Sequence, residues 1–191
     1  MRNYAVYQVD AFTKARFSGN PAGVVLNADG LSEVEMQNIA RELNNSETAF
    51  FFQPADAGYD GELRYFTPKT EVPTCGHATI AALYAKAVEE KLGDRKLRIK
   101  TKVGILPMEI ARIAGDYHIS MTQGAFEVSP ALEDSIIDDL LQGLGISRLD
   151  LDQRCPIQIA STGHSKVLIG IKSGRTLNAI RPDNEKLIAL S

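Results

Sequence analysis

Apolar residues in this chain recur at two spacings, and the changes between them predict the order of elements. Residues 4–9 and 23–26 read as strands joined by the Gly/Pro-rich connection Phe17-Ser18-Gly19-Asn20-Pro21. Asn20 in that connection either supports a turn or faces a ligand. Ser32-Glu33-Val34-Glu35 makes a capping box, and Met36, Ile39, Ala40 and Leu43 follow at helical spacing, which predicts a helix over 32–43. Residues 47–53 and 62–66 look like strands, with the polar segment 54–61 as their surface connection. A second helix is expected over 76–91, closed by Gly93. Ala78, Ala81, Ala82, Ala85 and Ala87 leave it apolar and thin on most of its circumference, the pattern of a buried helix with a sheet wrapped around it. Residues 96–101, 105–113 and 117–121 follow as a strand meander turning at Gly104 and Gly115.

A helix over 133–142, strands over 156–160 and 166–171, and short helical segments over 177–180 and 183–190 complete the pattern. The expected fold class is α+β, with a complete lobe in residues 1–115 and the start of a second, incomplete lobe in 116–191.

Composition narrows the function. With 191 residues and 44% hydrophobic content the chain can bury a sizeable core. A net charge of -3 without a basic cluster argues against a nucleic-acid surface. The longest apolar runs, such as 49–52 and 167–171, fall well short of the roughly 20 residues needed to cross a bilayer, so no membrane partner is expected. The first residues show no apolar leader, which makes the cytoplasm the expected address. Two cysteines, Cys75 and Cys155, suit a reducing compartment better than a disulfide framework.

The chemistry concentrates where Phe66-Thr67-Pro68, Glu71 and Thr74-Cys75-Gly76-His77-Ala78-Thr79 set a turn, a thiol and an imidazole in front of the alanine-rich helix. The first N–H groups of a helix lack intrahelical partners and sit at its positive end, so this junction suits a carboxylate, and Gly76 lets a ligand approach the backbone. Glu47, beside Ser46 at the head of an apolar strand, is the candidate proton carrier. It reads equally as a solvated surface carboxylate or as part of a local cap through Ser46. His77 either bonds substrate or is a structural histidine held by backbone, and Cys75 is either an activated thiol beside a helix terminus or a small buried residue. Drafting Cys155 and His164 beside Cys75 and His77 gives no recognised zinc spacing, so no metal is expected. No phosphate-binding glycine loop, dinucleotide fingerprint or nucleophile elbow is present, so no organic cofactor is expected either.

Asp10-Ala11-Phe12-Thr13, residues 17–25 with Gly19-Asn20-Pro21, Ser46-Glu47-Thr48-Ala49-Phe50, Arg64-Tyr65-Phe66-Thr67-Pro68, Glu71 and Cys75-Gly76-His77-Ala78-Thr79-Ile80-Ala81 together resemble the phenazine-biosynthesis-like (PhzF-like) isomerases. The likeness is strongest over residues 4–85. It implies a fold similar to diaminopimelate epimerase: two pseudo-symmetric lobes, each a curved, mostly antiparallel sheet around a central helix, with the active site between them. It implies a cofactor-independent isomerase in which Glu47 shuttles a proton along a small carboxylate-bearing metabolite. Gly76 and His77 would bind the carboxylate, Ser46 and Asn20 would face substrate, and Cys75 would stand where related racemases keep a catalytic thiol.

The family's second-lobe motif, an Asp-Pro and a Thr-Gly-Ser run before its central helix, is absent here. The chain is therefore expected to be truncated within the second lobe, or to associate with another chain, a homo-oligomer covering the unfinished sheet. The competing functions are a truncated, non-catalytic lobe that binds a ligand or partner, and a Cys75-dependent racemase or epimerase.

Overall fold

The computed structural model describes residues 3–162 and 165–190 and divides the chain into two units, Met1–Gly124 and Ala125–Ser191. In the first unit, β1 (Val6–Ala11) and β2 (Asn20–Val25) form a hairpin. α1 (Glu33–Leu43) carries the chain across to β3 (Thr48–Phe52), which pairs with β2 in parallel. β4 (Gly61–Phe66) returns antiparallel to β3, and β5 (Glu71–Val72) folds back onto its end. α2 (Gly76–Glu89) makes a second crossover, so β6 (Arg95–Thr101) runs parallel to β4. The meander β6, β7 (Gly104–Ile113) and β8 (Asp116–Met121) completes a sheet ordered β1-β2-β3-β4-β6-β7-β8, with β5 beside β4.

Strands at both ends of that order, β1 and β8, pack against α2, as do β2, β3 and β7. One helix can touch both edges of a seven-strand path only if the sheet curls around it. The alternation along β3 divides the core in two. Ala49 and Phe51 meet Ala78, Ala81, Ala82 and Ala85 of α2 on the inside, while Phe50 meets Met36 and Ala40 of α1 on the outside.

The helix ends follow their sequence signals in one case and depart in the other. Ser32 and Glu35 form the expected capping box at α1. α2 stops at Glu89, earlier than the expected residue 91, and Gly93 does not end it. Lys91 takes the left-handed position instead, at φ 51°, with Lys91 N–H donating to Val88 O and Leu92 N–H to Ala87 O. The two reverse bonds satisfy the last carbonyls before Gly93 is reached.

A charge cluster clamps the segment that delivers the chain to α2. Arg64 on β4 grips Glu71 on β5 bidentately, Nε and a terminal nitrogen each 2.7 Å from a carboxylate oxygen, and also reaches Glu33 at 2.8 Å. Lys102, from the β6–β7 turn, donates to the same carboxylate. The Glu71 side chain is only 8% exposed. Burial alone would raise its carboxyl, but the Arg64 and Lys102 cations outweigh that and hold it below the ordinary range.

The second unit holds β9 (Glu127–Ala131), α3 (Asp134–Leu144), a short 3-10 turn at Arg148–Asp150, β10 (Gln158–Ser161), β11 (Lys166–Leu168), α4 (Gly174–Ala179) and α5 (Asn184–Ala189). Its sheet is ordered β11-β10-β9. β9 was not legible because Pro130 lacks a ladder N–H, which an edge strand tolerates. The expected strand over 166–171 ends at Leu168, and Ile171 makes only an isolated bridge with Leu151. The units part after Gly124, later than the expected 115/116 division, because β8 is hydrogen-bonded to β7 along its whole length. His164 lies outside the described residues.

Two outcomes follow. Ala82 is fully buried against the curled sheet, so Ala82→Leu should destabilise the chain by about 1–3 kcal/mol, read from denaturant midpoints. For Glu71, a depressed folded pKa means stability that is present above the unfolded carboxylate value of about 4.3 and lost as pH falls through the folded value. The stability gap between native protein and Glu71→Gln should therefore be widest above about pH 5 and shrink on acidification. A gap that does not vary with pH would remove the ionic basis of the clamp.

Candidate active site

The parallel pairing of β2 with β3 sets the first component. Gly23 N–H donates to Glu47 O at 3.1 Å, so the ladder extends to the residue before β3. Glu47 therefore keeps the alternation of Ala49 and Phe51, and its side chain turns toward α2. A Cβ on Gly23 would come within 2.5 Å of Thr48 Oγ1 and 2.8 Å of Leu43 Cδ1. Glycine is thus required where β2 supports this stretch.

The second component is the start of α2. Cys75, with an extended backbone, is its N-cap, and its side chain makes no capping hydrogen bond. Helix geometry leaves the first N–H groups, from Gly76 onward, without intrahelical acceptors. A Cβ on Gly76 would fit without a clash, in ordinary van der Waals contact with Gln123 Nε2 at 3.8 Å. The rear of the helix start is fixed from inside the barrel. Thr79 Oγ1 donates to Cys75 O at 2.7 Å, which leaves the Tyr65 hydroxyl as donor to Thr79 Oγ1 at 2.6 Å. Tyr65 is buried, and burial pushes its phenol well above the ordinary range, keeping it a neutral donor.

His77 joins the two components. Its Nε2 lies 3.6 Å from Glu47 Oε2 and 3.4 Å from Ser46 Oγ, while its Nδ1 lies 3.3 Å from Cys75 Sγ. The His77 side chain is 10% exposed and that of Glu47 24%. Thr74 Oγ1, just before the cap, and Asn45 Oδ1, two residues before Glu47, are buried without a hydrogen-bond partner among the described atoms. All these groups belong to the first unit.

Ser46, Glu47, Cys75, Gly76 and His77 are therefore brought together. Asn20 stands apart from their contacts. It is the first residue of β2, paired opposite Ala11, and not part of the turn that its sequence suggests. The parallel register Gly23↔Thr48 puts it at the same end of the sheet as Glu47. The chain's reversal is made by the residues before it, with Phe12 and Phe17 both at positive φ, 62° and 64°, and exposed. Thr79 and Tyr65 were the missed contributors. Both sit in the quoted motifs, but their role depends on a long-range contact that no local pattern announces.

The donor atoms of Glu47, Cys75 and His77 lie within 4.8 Å of one another, close enough to consider a metal ion. However, the thiol faces one ring nitrogen and the carboxylate the other. An ion takes only one nitrogen of an imidazole, so the arrangement suits a proton path better than a chelate. A separate groove of about 670 Å³ runs between β1 and β8 over Ile80, Ala81 and Tyr84. It includes none of Glu47, Cys75 and His77, and its Asp116 is already engaged by Tyr84 Oη at 3.0 Å.

Comparison with known proteins finds clear relatives of this chain. An uncharacterized isomerase of Clostridium acetobutylicum is 53% identical over 191 residues, which cover 100% of this chain and 63% of that protein. The trans-2,3-dihydro-3-hydroxyanthranilate isomerase of Pseudomonas chlororaphis is 35% identical over 187 residues, 98% of this chain and 63% of that one. The crystal structure of the Bacillus anthracis phenazine biosynthesis protein, PhzF family, matches with a TM-score of 0.83 at 37% identity, covering 97% of this chain and 61% of its own. The chain thus spans less than two thirds of the length of each. The family model described as phenazine biosynthesis-like protein matches residues 9–191, and the chain belongs to that family.

Proposed function

We propose that this chain carries the proton-transferring site of a cofactor-independent isomerase that acts on a small, carboxylate-bearing metabolite. The observation that carries the reading is the Glu47 carboxylate, 3.6 Å from His77 Nε2, at the uncapped start of a buried helix. A substrate carboxylate on the first N–H groups of α2 gains charge-assisted hydrogen bonds and the positive end of the helix. A saturated, hydrogen-bearing carbon of the same molecule then lies toward Glu47. The carboxylate takes a proton from that carbon, the released electron pair shifts along the adjacent double bond, and the resulting carboxylic acid returns the proton further along the same molecule. Substrate leaves with its atoms rearranged and Glu47 leaves ionised, so no electron acceptor enters the balance. Ser46, Gly76, His77 and Asn20 would hold and orient the substrate from the same end of the sheet. The relatives named trans-2,3-dihydro-3-hydroxyanthranilate isomerases support a carboxylate of that kind as substrate.

The second unit supports a further proposal on partners. Leu177 is 58% exposed and Ile188 70%, with Val167 and Leu168 also open. We propose that a second copy of the chain covers these apolar side chains.

Trans-2,3-dihydro-3-hydroxyanthranilate in deuterated buffer is the first substrate to try. Native protein should exchange deuterium into it, and Glu47→Gln should slow that exchange by at least about 100-fold. Exchange that survives the substitution unchanged would sink the assignment of Glu47. Light scattering should give the mass of a dimer or larger assembly, and a concentration-independent monomer would overturn the proposal on partners.

A further inference from the structure

The contacts of His77 do more than place a binding group beside Glu47. Cys75 Sγ and His77 Nδ1 are 3.3 Å apart, on the side of the ring opposite Glu47 and Ser46. A thiol that donates to Nδ1 requires the tautomer with its hydrogen on Nε2, and that hydrogen points at Ser46 Oγ and the Glu47 carboxylate. Three side chains from two separate stretches of sequence therefore line up as thiol, imidazole and carboxylate. The thiol also caps the α2 N-terminus without hydrogen-bonding to it, where a negative sulfur is favoured.

We propose that Cys75 is an activated thiol, a modification site for soft electrophiles, whose reactivity is set by His77 and, through His77, by Glu47. The titratable groups around it are His77 on α2, Glu47 before β3 and Tyr65 on β4. Tyr65 is buried and neutral, and it opposes a thiolate least in that form. In the reaction with iodoacetamide the thiol proton passes to Nδ1 while sulfur forms the bond to the methylene carbon. The carbon–iodine bond breaks and iodide leaves. The proton remains on an imidazolium that faces the Glu47 carboxylate, which is why removing that charge should slow the step. The adduct stands at the start of α2, next to Gly76. If the isomerase reading holds, modification of Cys75 also closes the substrate site, and only this last consequence rests on that reading.

An ordinary thiol of pKa about 8.5 is roughly 3% ionised at pH 7, so a thiolate held ionised can react up to about 30-fold faster, less some loss of nucleophilicity. The experiment treats the whole chain with limiting iodoacetamide between about pH 5.5 and 9 and follows the peptides of Cys75 and Cys155 by mass spectrometry. Cys155, exposed in the second unit, is the internal reference. At pH 7 Cys75 should react about tenfold faster than Cys155, and its rate should persist to lower pH. His77→Asn should abolish the advantage and Glu47→Gln should reduce it severalfold, with the Cys155 rate unchanged in both. Should His77→Asn prove unfolded, Glu47→Gln alone decides. Equal rates for the two thiols, a Cys75 that reacts only in denaturant, or variants that leave its rate untouched would each overturn the proposal. The alkylation needs no substrate, so its failure and the failure of the deuterium-exchange test remain separate results.

Discussion

The close approach of the curled sheet to a helix faced with alanine is the constraint on which the first unit depends. Ala78, Ala81, Ala82 and Ala85 present methyl groups where longer side chains would hold the strands away. That thinness lets β1 and β8, the two ends of the sheet, reach the same helix. It also makes the helix a poor candidate for independent stability, since its surface has little to bury except against strands on several sides. The result is a rigid post whose start is presented at the end of the barrel where β2 and β3 begin and β4 ends. Position there is specified by the Tyr65–Thr79–Cys75 hydrogen bonds behind it and by the Arg64–Glu71–Lys102 cluster before it.

The site gains its chemistry from the difference between these supports and what they support. Behind the helix start the hydroxyls of Tyr65 and Thr79 and the carbonyl of Cys75 form one hydrogen-bonded chain, and the phenol is kept neutral. In front, the cap residue makes no side-chain capping bond to the helix, and Glu47, Ser46 and Cys75 all converge on one imidazole. A saturated back and an unsaturated front are what a site for a charged small molecule requires, because preorganised donors gain most where no other group competes for them.

Much of this is legible in the sequence. The capping box at Ser32 and Glu35, the thin alanine helix and the Glu47, Cys75, Gly76 and His77 motifs are local signals, and local signals survive in sequence. Others failed for specific reasons. Lys91, not Gly93, takes the left-handed turn after α2, because reverse hydrogen bonds can hold a lysine in a conformation that propensity assigns to glycine. Asn20 looked like a turn residue beside Gly19 and Pro21, yet its pairing with Ala11 makes it the start of a strand. Pro130 hid β9. The Tyr65 to Thr79 bond joins a strand to a helix across a turn and a short strand, a relation no periodicity encodes.

The way the barrel wraps α2 also orders its assembly in time. Glu47 and residues 75–77, the groups of the proposed site, precede β7 and β8 in the chain, yet the helix beside them is packed against those later strands. A nascent chain that has delivered the whole motif still holds a helix with an uncovered flank until Met121 has followed. The closing contacts are long-range, with β8 and β1 meeting the same helix from opposite ends of the unit, and such contacts come late and slowly. The flank of the helix is therefore covered only when the last strand of the curled sheet is in place.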